Sequence, residues 1–193
     1  MTEPGDAAMG TPVTVFDDAE QLGEALAREI IAGIERTPAG DRYLLGCPSG
    51  RSLRSTYRAL ARLLPPSADL SGLVIMMMDE YLVGEPGPFE RIDPGLTHTC
   101  AWFAEHEIRL ALNEAVPRGR GIAPDQVWLP DPAEPEAYDR RIAETGGVEL
   151  FLAASGAGDG HVAFYPPPAD LGGGSRVIEL AEQRRRDNME SFP

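Results

Sequence analysis

Three short, mainly apolar segments constrain the fold of this chain more than any other feature. They are Tyr43–Cys47, Leu73–Met78 and Val148–Ala154, and each ends at polar or glycine-rich residues. Segments of this length are typical of buried strands, and amphipathic helical patterns separate them along the chain. Strands that alternate with helices require right-handed crossovers and a mostly parallel sheet. The sequence therefore predicts an α/β fold, in which an open and mostly parallel sheet has flanking helices.

The remaining elements are predicted from periodicity and from turn residues. The first helix begins at Asp17 or Asp18 and ends near Glu35, with an apolar face made of Ala19, Leu22, Leu26, Ile30 and Ile34. The other predicted elements are helices at Ser52–Leu64, Thr97–Leu112 and Glu134–Thr145, strands at Val13–Phe16, Gln126–Leu129 and Val177–Leu180, and loops at Gly84–Gly95 and Phe164–Gly174. We interpret residues 1–10 as a flexible tail and residues 11–193 as a single α/β domain.

Length and composition fit one globular domain, with 193 residues of which 42% are hydrophobic. The two cysteines, Cys47 and Cys100, are far apart. This spacing excludes a disulfide scaffold and a cysteine zinc site, and it fits a reducing compartment. Met1–Gly10 carries acids where a secretion signal has basic residues, and the longest apolar run, Leu73–Met78, is too short to span a bilayer. We therefore expect a cytoplasmic protein.

The charge balance narrows the function further. The net charge is −14, and all 17 basic residues are arginine, so the chain contains no lysine. Schiff-base chemistry, covalent pyridoxal phosphate and a Walker-type phosphate lysine are therefore excluded within this chain. The negative charge also argues against nucleic acid and anionic membranes as partners. An anionic substrate must be held by local arginines and backbone amides.

The first strand-end segment of interest is Cys47-Pro48-Ser49-Gly50-Arg51-Ser52, where a predicted strand leads directly into a helix. Free amides at a helix N-terminus bind anions, and glycine allows a ligand to approach the backbone closely. Arg51 adds a side chain suited to bidentate contact with a phosphate. The alternative is a simple turn with Ser52 as the helix cap.

The second segment is Met78-Asp79-Glu80-Tyr81, in which two adjacent carboxylates follow a buried strand. Such carboxylates are costly unless they are solvated or have a function. An apolar surrounding and a second carboxylate raise a carboxyl pKa toward the range of a general base, which makes this pair a candidate. The alternative is an acidic strand end that caps the next turn.

The third segment is Gly156-Ala157-Gly158-Asp159-Gly160-His161, in which glycines allow a sharp turn around Asp159 and His161. A carboxylate beside a histidine orients an imidazole that titrates near neutral pH. The alternative is a loop histidine without a catalytic role. His98 and His106 lie on a predicted helix, and we interpret them as surface or core residues rather than ligands. The spacing of His98 and His161 gives no support for a metal site.

These segments together resemble the glucosamine-6-phosphate deaminase family and, more loosely, the 6-phosphogluconolactonases. The similarity extends over Asp17–Phe192 and is carried by LLGCPSGRSLRSTYRAL (Leu44–Leu60), MMMDEYLVG (Met76–Gly84) and LFLAASGAGDGHVAFYPPPADL (Leu150–Leu171). Tyr81 and Phe164 favour the deaminases. The resemblance implies a Rossmann-like deaminase/isomerase fold that requires no organic cofactor.

The resemblance also implies roles for individual residues. Asp79 moves a proton between C1 and C2 of the opened sugar, and His161, oriented by Asp159, helps to open the ring. The implied substrate- or phosphate-binding residues are Ser49, Gly50, Arg51, Ser52, Glu80 and Arg185, with Arg184 and Arg186 as alternatives to Arg185. The implied partner is a phosphorylated sugar or a sugar-like molecule, and we expect a homo-oligomer.

The sequence departs from the family pattern at a position that matters for chemistry. The deaminases place a glutamate five residues after the histidine, where this chain has Pro166, and Tyr165 replaces an asparagine. Proline cannot transfer a proton, so this relay is broken unless Asp170 or Glu80 substitutes. The family also continues beyond the position of Pro193, so either the chain is a fragment or a partner subunit completes its sheet.

We therefore expect an enzyme that moves a proton next to a carbonyl, by amino-sugar deamination, isomerisation or epimerisation. Lactone hydrolysis by water that His161 activates is a second enzymatic candidate, because it does not need the missing carboxylate. A homologue that binds a sugar phosphate without turning it over is the non-enzymatic alternative.

Overall fold

A four-stranded parallel sheet forms the centre of the structure, a computed structural model that describes residues 12–84, 89–154 and 172–180. Its strands are β1 (Tyr43–Cys47), β2 (Leu73–Met77), β5 (Val127–Trp128) and β6 (Leu150–Phe151). They lie in the order β5-β2-β1-β6 across the sheet. A short antiparallel hairpin, β3 (Leu82–Val83) with β4 (Glu90–Arg91), follows β2. The predicted α/β fold with a mostly parallel sheet is confirmed.

The two central strands are apolar at every position because helices cover both faces of the sheet. All residues of β1 and β2 are buried. Alternate side chains point to opposite faces, so Leu45 and Ile75 pack in the larger core with α1 (Ala19–Arg36) and α2 (Arg54–Leu63). Leu44 and Val74 face the smaller core, which contains Tyr138 of α5 (Glu136–Glu144). This double coverage explains why neither strand alternates with polar residues.

Helix α1 begins where the sequence predicts, and its buried face overlaps the predicted one: Leu26, Ile30 and Ile34 pack in the core. The Oδ1 atom of Asp18 accepts a hydrogen bond from the Gln21 amide at 2.8 Å, which makes Asp18 the N-cap. The buried positions are Gly23, Ala27, Ile30 and Gly33. Leu22, from the predicted apolar face, is 39% exposed. The buried face also includes small residues that the prediction left out, because Gly23 and Gly33 allow α1 to approach its neighbours closely.

The helix predicted at Thr97–Leu112 begins later and is not uniformly α-helical. Helices α3 (Cys100–Phe103) and α4 (Ala111–Glu114) flank a π-helical stretch, Ala104–Leu110. We refer to the whole as segment 100–114. It starts at Cys100 because Thr99 is its N-cap: the Thr99 Oγ1 atom accepts a hydrogen bond from the Trp102 amide at 3.0 Å.

Two predicted strands are wrong. Val13–Phe16 is outside every helix and strand, and Val13 is 84% exposed, because no described strand offers this segment a backbone partner. Val177–Leu180 has no regular structure either. The strand predicted at Val148–Ala154 is reduced to β6, and hairpin β3–β4 interrupts the predicted loop at Gly84–Gly95.

Three other interpretations concern residues outside the described ranges. These are the flexible tail at residues 1–10, most of the loop predicted at Phe164–Gly174, and the position of Pro166. Among the described residues, no helix is both long enough and apolar enough to cross a membrane.

Candidate functional site

The parallel register of β1 and β2 brings two of the predicted segments together. Cys47 is paired with Met77, and the Met78 amide donates a hydrogen bond to the Cys47 carbonyl at 3.3 Å. Ser49 and Asp79 each lie two residues beyond this last pair, at the carboxyl ends of adjacent strands. In open α/β sheets this edge is where ligands bind.

The segment after β1 forms a turn that a buried tyrosine of α2 holds in place. Gly50 has a φ of +93°, a conformation that glycine adopts without strain. The hydroxyl of the buried Tyr57 donates a hydrogen bond to the Pro48 carbonyl at 2.8 Å. Burial raises the pKa of Tyr57 well above its usual value, so this donor keeps its proton. The turn therefore has a defined shape beside β2.

Arg51 and Ser52 are exposed on this turn, whereas Ser49 is half-buried. The N-cap of α2 is Leu53, and it makes no side-chain hydrogen bond to the helix. The alternative in which Ser52 caps the helix is therefore wrong. The Arg54 amide, the first of α2, donates a hydrogen bond to the Arg51 carbonyl at 3.3 Å, so the anion-binding interpretation stays a prediction for the turn itself.

The Cys100 thiol lies between Ser49 and Asp79. Its Sγ atom is 3.2 Å from the Ser49 Oγ atom, and the thiol donates a hydrogen bond to the Asp79 Oδ1 atom at 3.3 Å. Burial raises the pKa of Cys100 well above its ordinary value, and the Asp79 and Glu80 carboxylates raise it further. The thiol is therefore protonated near neutral pH and acts as a hydrogen-bond donor.

Glu80 holds the start of segment 100–114. Its Oε1 atom accepts hydrogen bonds from the amides of Tyr81 at 2.7 Å and Cys100 at 3.0 Å, and its Oε2 atom accepts one from Ala101 at 2.8 Å. This is the capping alternative considered for the acidic strand end. A role for Glu80 in substrate binding stays a prediction, since both of its oxygens already bind backbone amides.

The other predicted site residues, Asp159, His161 and Arg185, lie outside the described residues. The strand before them is nevertheless placed: β6 pairs with β1 in parallel, and the Leu152 amide donates a hydrogen bond to the Gly46 carbonyl at 2.9 Å. The chain therefore leaves β6 at the same edge of the sheet as Ser49 and Asp79. The roles of these three residues stay predictions.

Sequence reasoning missed the positions of Cys100 and Tyr57. Cys100 is 21 residues after Asp79 and 51 after Ser49, so no local pattern places it beside them. One signal was present, because Thr99 is a favourable N-cap and Cys100 follows it directly. The buried tyrosine in α2 gave no signal, since an apolar helix face also accounts for it.

A cavity of about 350 Å³ in the described part of the chain lies at the opposite edge of the sheet, near the starts of β1 and β2. Its lining includes Glu35, Asp41 and Asp69 but no basic residue. A phosphate would be repelled there. We therefore place the candidate site at the carboxyl ends of the strands on chemical grounds.

The same α/β fold occurs in solved structures of a deaminase and of a lactonase. The structure of a monomeric glucosamine-6-phosphate deaminase superposes with a TM-score of 0.77 at 21% identity, over 95% of this chain and 70% of the other. A 6-phosphogluconolactonase from Plasmodium vivax superposes with a TM-score of 0.50 at 13% identity, over 91% of this chain and 62% of the other. These likenesses show the fold.

Sequence similarity identifies the relatives more narrowly. A glucosamine-6-phosphate deaminase of Bifidobacterium longum (strain DJO10A) is 30% identical over 93% of this chain and 65% of its own length. Proteins of the same name from Arthrobacter sp. (strain FB24) and Streptomyces avermitilis are 32% and 33% identical over 93% of this chain and 64% of their own lengths. No family model matches the chain.

The chain is thus related to the glucosamine-6-phosphate deaminases, a family of sugar-phosphate enzymes, which confirms the resemblance predicted from its motifs. It spans less than two thirds of the length of these curated relatives. The expectation of a homo-oligomer stays a prediction.

Proposed function

We propose that this protein acts on a phosphorylated sugar by moving a proton next to a carbonyl, with Asp79 as the base. The observation that carries the proposal is the position of the Asp79 carboxylate beside the turn after β1. Asp79 Oδ1 and Ser49 Oγ lie within 3.3 Å of the same sulfur atom. A base and an anion-binding turn at this separation suit a small substrate that has a phosphate at one end.

Asp79 would remove a proton from the carbon next to the carbonyl and return it to the neighbouring carbon. This step develops negative charge on the carbonyl oxygen, which needs a hydrogen-bond donor. His161 is the proposed donor and ring-opening group, on the family resemblance, with Asp159 orienting its imidazole. Placement of the base at the end of a buried strand supplies the positioning that such a step requires.

The phosphate would be held by the hydroxyls and amides of the turn at Ser49–Ser52 and by the Arg51 guanidinium. A net charge of −14 repels an anionic substrate at long range, so these local donors must supply the attraction. Arg51 is exposed on this turn, so its guanidinium group is accessible to a phosphate that arrives from solvent. Arg185 is proposed as a second phosphate ligand on the family resemblance alone.

The position of Glu80 bears on which reaction the site performs. The sequence replaces the family glutamate by Pro166, and Glu80 was one candidate to substitute for it. Both Glu80 oxygens accept hydrogen bonds from backbone amides, so this carboxylate is already engaged in holding the start of segment 100–114. Because Glu80 is engaged in this way, it is a poor substitute for the family glutamate, and we propose isomerisation alongside deamination. Lactone hydrolysis stays the second candidate, since that reaction does not need the missing glutamate.

The deciding experiment measures ammonia release from glucosamine 6-phosphate, with sugar-phosphate isomerisation and hydrolysis of 6-phosphogluconolactone assayed in parallel. We expect ammonia or an isomerised product, with turnover reduced at least a hundredfold in Asp79→Asn. Turnover of the lactone alone would replace the proposal with the second candidate. No turnover, together with a higher melting temperature in inorganic phosphate, would show that the chain binds sugar phosphates without reacting with them.

A further inference from the structure

We propose that Cys100 is a positioning residue whose thiol ties the Asp79 carboxylate to the phosphate-binding turn. The inference rests on the proposed function of Asp79 as the base. Its evidence is that one buried sulfur is within hydrogen-bond distance of both the Asp79 Oδ1 atom and the Ser49 Oγ atom. These two atoms come from the ends of different strands, and Cys100 comes from a third element.

The hydrogen-bond directions follow from the single proton that a thiol carries. The Cys100 thiol donates to the Asp79 carboxylate, which at neutral pH only accepts hydrogen bonds. The Ser49 hydroxyl must then donate to the sulfur, because the sulfur has no second proton to give. The order is Ser49 hydroxyl, Cys100 thiol, Asp79 carboxylate. A substrate phosphate that accepts a hydrogen bond from the Ser49 hydroxyl would therefore change this series of hydrogen bonds directly.

Hydrogen bonds to the backbone at and near Cys100 hold its sulfur atom in place. The Cys100 amide donates to the Glu80 Oε1 atom at 3.0 Å, and the Thr99 cap fixes the first turn of segment 100–114. Cys100 is fully buried. Because the thiol cannot move away, its hydrogen bond helps to fix the orientation of the Asp79 carboxylate, which two side-chain torsions determine. The orientation of a base determines how often it meets the carbon acid productively.

The thiol also has an electrostatic effect on Asp79. A hydrogen bond donated to a carboxylate favours its ionised form, and the ionised form is the base. Removal of the donor therefore makes the carboxylate easier to protonate. The acid limb of the kcat/KM profile then moves to higher pH, whereas a purely space-filling role of Cys100 would leave the limb where it is.

The kinetic test compares Cys100→Ala, which removes the donor, with Cys100→Ser, which keeps a donor and an acceptor. We expect Cys100→Ala to lower kcat by about five- to tenfold, with a smaller change in KM, and to move the acid limb to higher pH. Cys100→Ser should recover most of both effects. Equal behaviour of the two variants, or an unmoved acid limb in Cys100→Ala, would overturn the proposal.

Cys47→Ser is the matched control for the loss of a buried thiol. Cys47 is also fully buried, but its Sγ atom lies 3.5 Å from the Leu45 carbonyl, in the core beneath the turn. We expect this variant to keep the pH profile. A shift of its acid limb as large as that of Cys100→Ala would show that loss of buried packing alone moves the limb, and would contradict the proposal.

An infrared measurement tests the hydrogen bond without any turnover, so it separates failure of this inference from failure of the proposed function. Hydrogen bonding weakens an S–H bond and lowers its stretching frequency. The Cys100→Ser variant identifies which of the two S–H bands belongs to Cys100. That band should move to higher frequency in Asp79→Ala and stay in place in Cys47→Ser. A band unmoved in Asp79→Ala would overturn the proposal, even if the wild-type protein is an active deaminase.

Discussion

At the scale of single residues, Arg51 is the side chain whose role is easiest to test. We expect Arg51→Ala to raise KM for a sugar phosphate about tenfold and to change kcat little, because phosphate binding is shared by the ground state and the transition state. Steady-state kinetics measure both constants. Arg58→Ala is the control, since Arg58 is exposed on α2 and this substitution removes the same charge at a position away from the turn. An equal rise of KM in both variants would mean that Arg51 acts only through net charge.

The hydrogen bonds that Glu80 accepts predict an effect of this residue on the free energy of unfolding. The change Glu80→Gln replaces one acceptor oxygen by an NH₂ group, which would face a backbone amide that also donates. We expect the free energy of unfolding to fall by about 1–3 kcal/mol, measured by urea denaturation. The control is Glu90→Gln, an exposed position on β4 where the same change should cost less than about 0.5 kcal/mol. Equal losses in the two variants would show that Glu80 does not hold segment 100–114.

At the scale of elements, the close contact between α1 and α2 depends on Gly23. A Cβ atom at Gly23 would lie 2.7 Å from the Ser55 carbonyl carbon, which belongs to the backbone and cannot turn aside. We expect Gly23→Ala to lower the free energy of unfolding by about 1–3 kcal/mol, although alanine favours helix formation. Glu35→Ala is the control, because Glu35 lies at an exposed position of the same helix. It should cost less than about 0.5 kcal/mol, and equal losses in the two variants would contradict this packing.

Segments that the sheet buries on both faces were predictable, and segments whose state depends on a partner were not. β1 matches its predicted bounds and β2 differs by one residue, because continuous apolar runs of this length have few alternatives to a central strand. Val13–Phe16 has the composition of a strand but no neighbouring strand to pair with. The approach of Ser49 to Asp79 follows from parallel pairing alone. The approach of Cys100 depends on where segment 100–114 packs, which the local sequence does not specify.

At the scale of the whole molecule, five buried acids of the described residues, which are neutral when protonated, link stability to alkaline pH. Burial raises the pKa of Cys47 to about 12, raises the pKa of Tyr43, and raises the pKa of Tyr57, Cys100 and Tyr138 well above their usual values. In the unfolded chain these groups lose their protons at ordinary pH values, so the folded state binds more protons than the unfolded state above pH ~9. The stability that these groups confer is therefore fully present below pH ~9 and is lost as the pH rises toward their folded pKa values.

We expect the free energy of unfolding to change little between pH 7 and pH ~9 and then to fall, by about 1.4 kcal/mol per pH unit for each group that titrates. Urea denaturation at a series of pH values measures this slope. Tyr57→Phe removes one of these groups and should make the alkaline slope shallower by about that amount. Repulsion from the net charge of −14 acts on the wild type and the variant nearly alike, so it does not account for a difference between them. Identical slopes would show that Tyr57 is accessible to solvent in the folded state, and that it does not hold the turn before Ser49 through the Pro48 carbonyl.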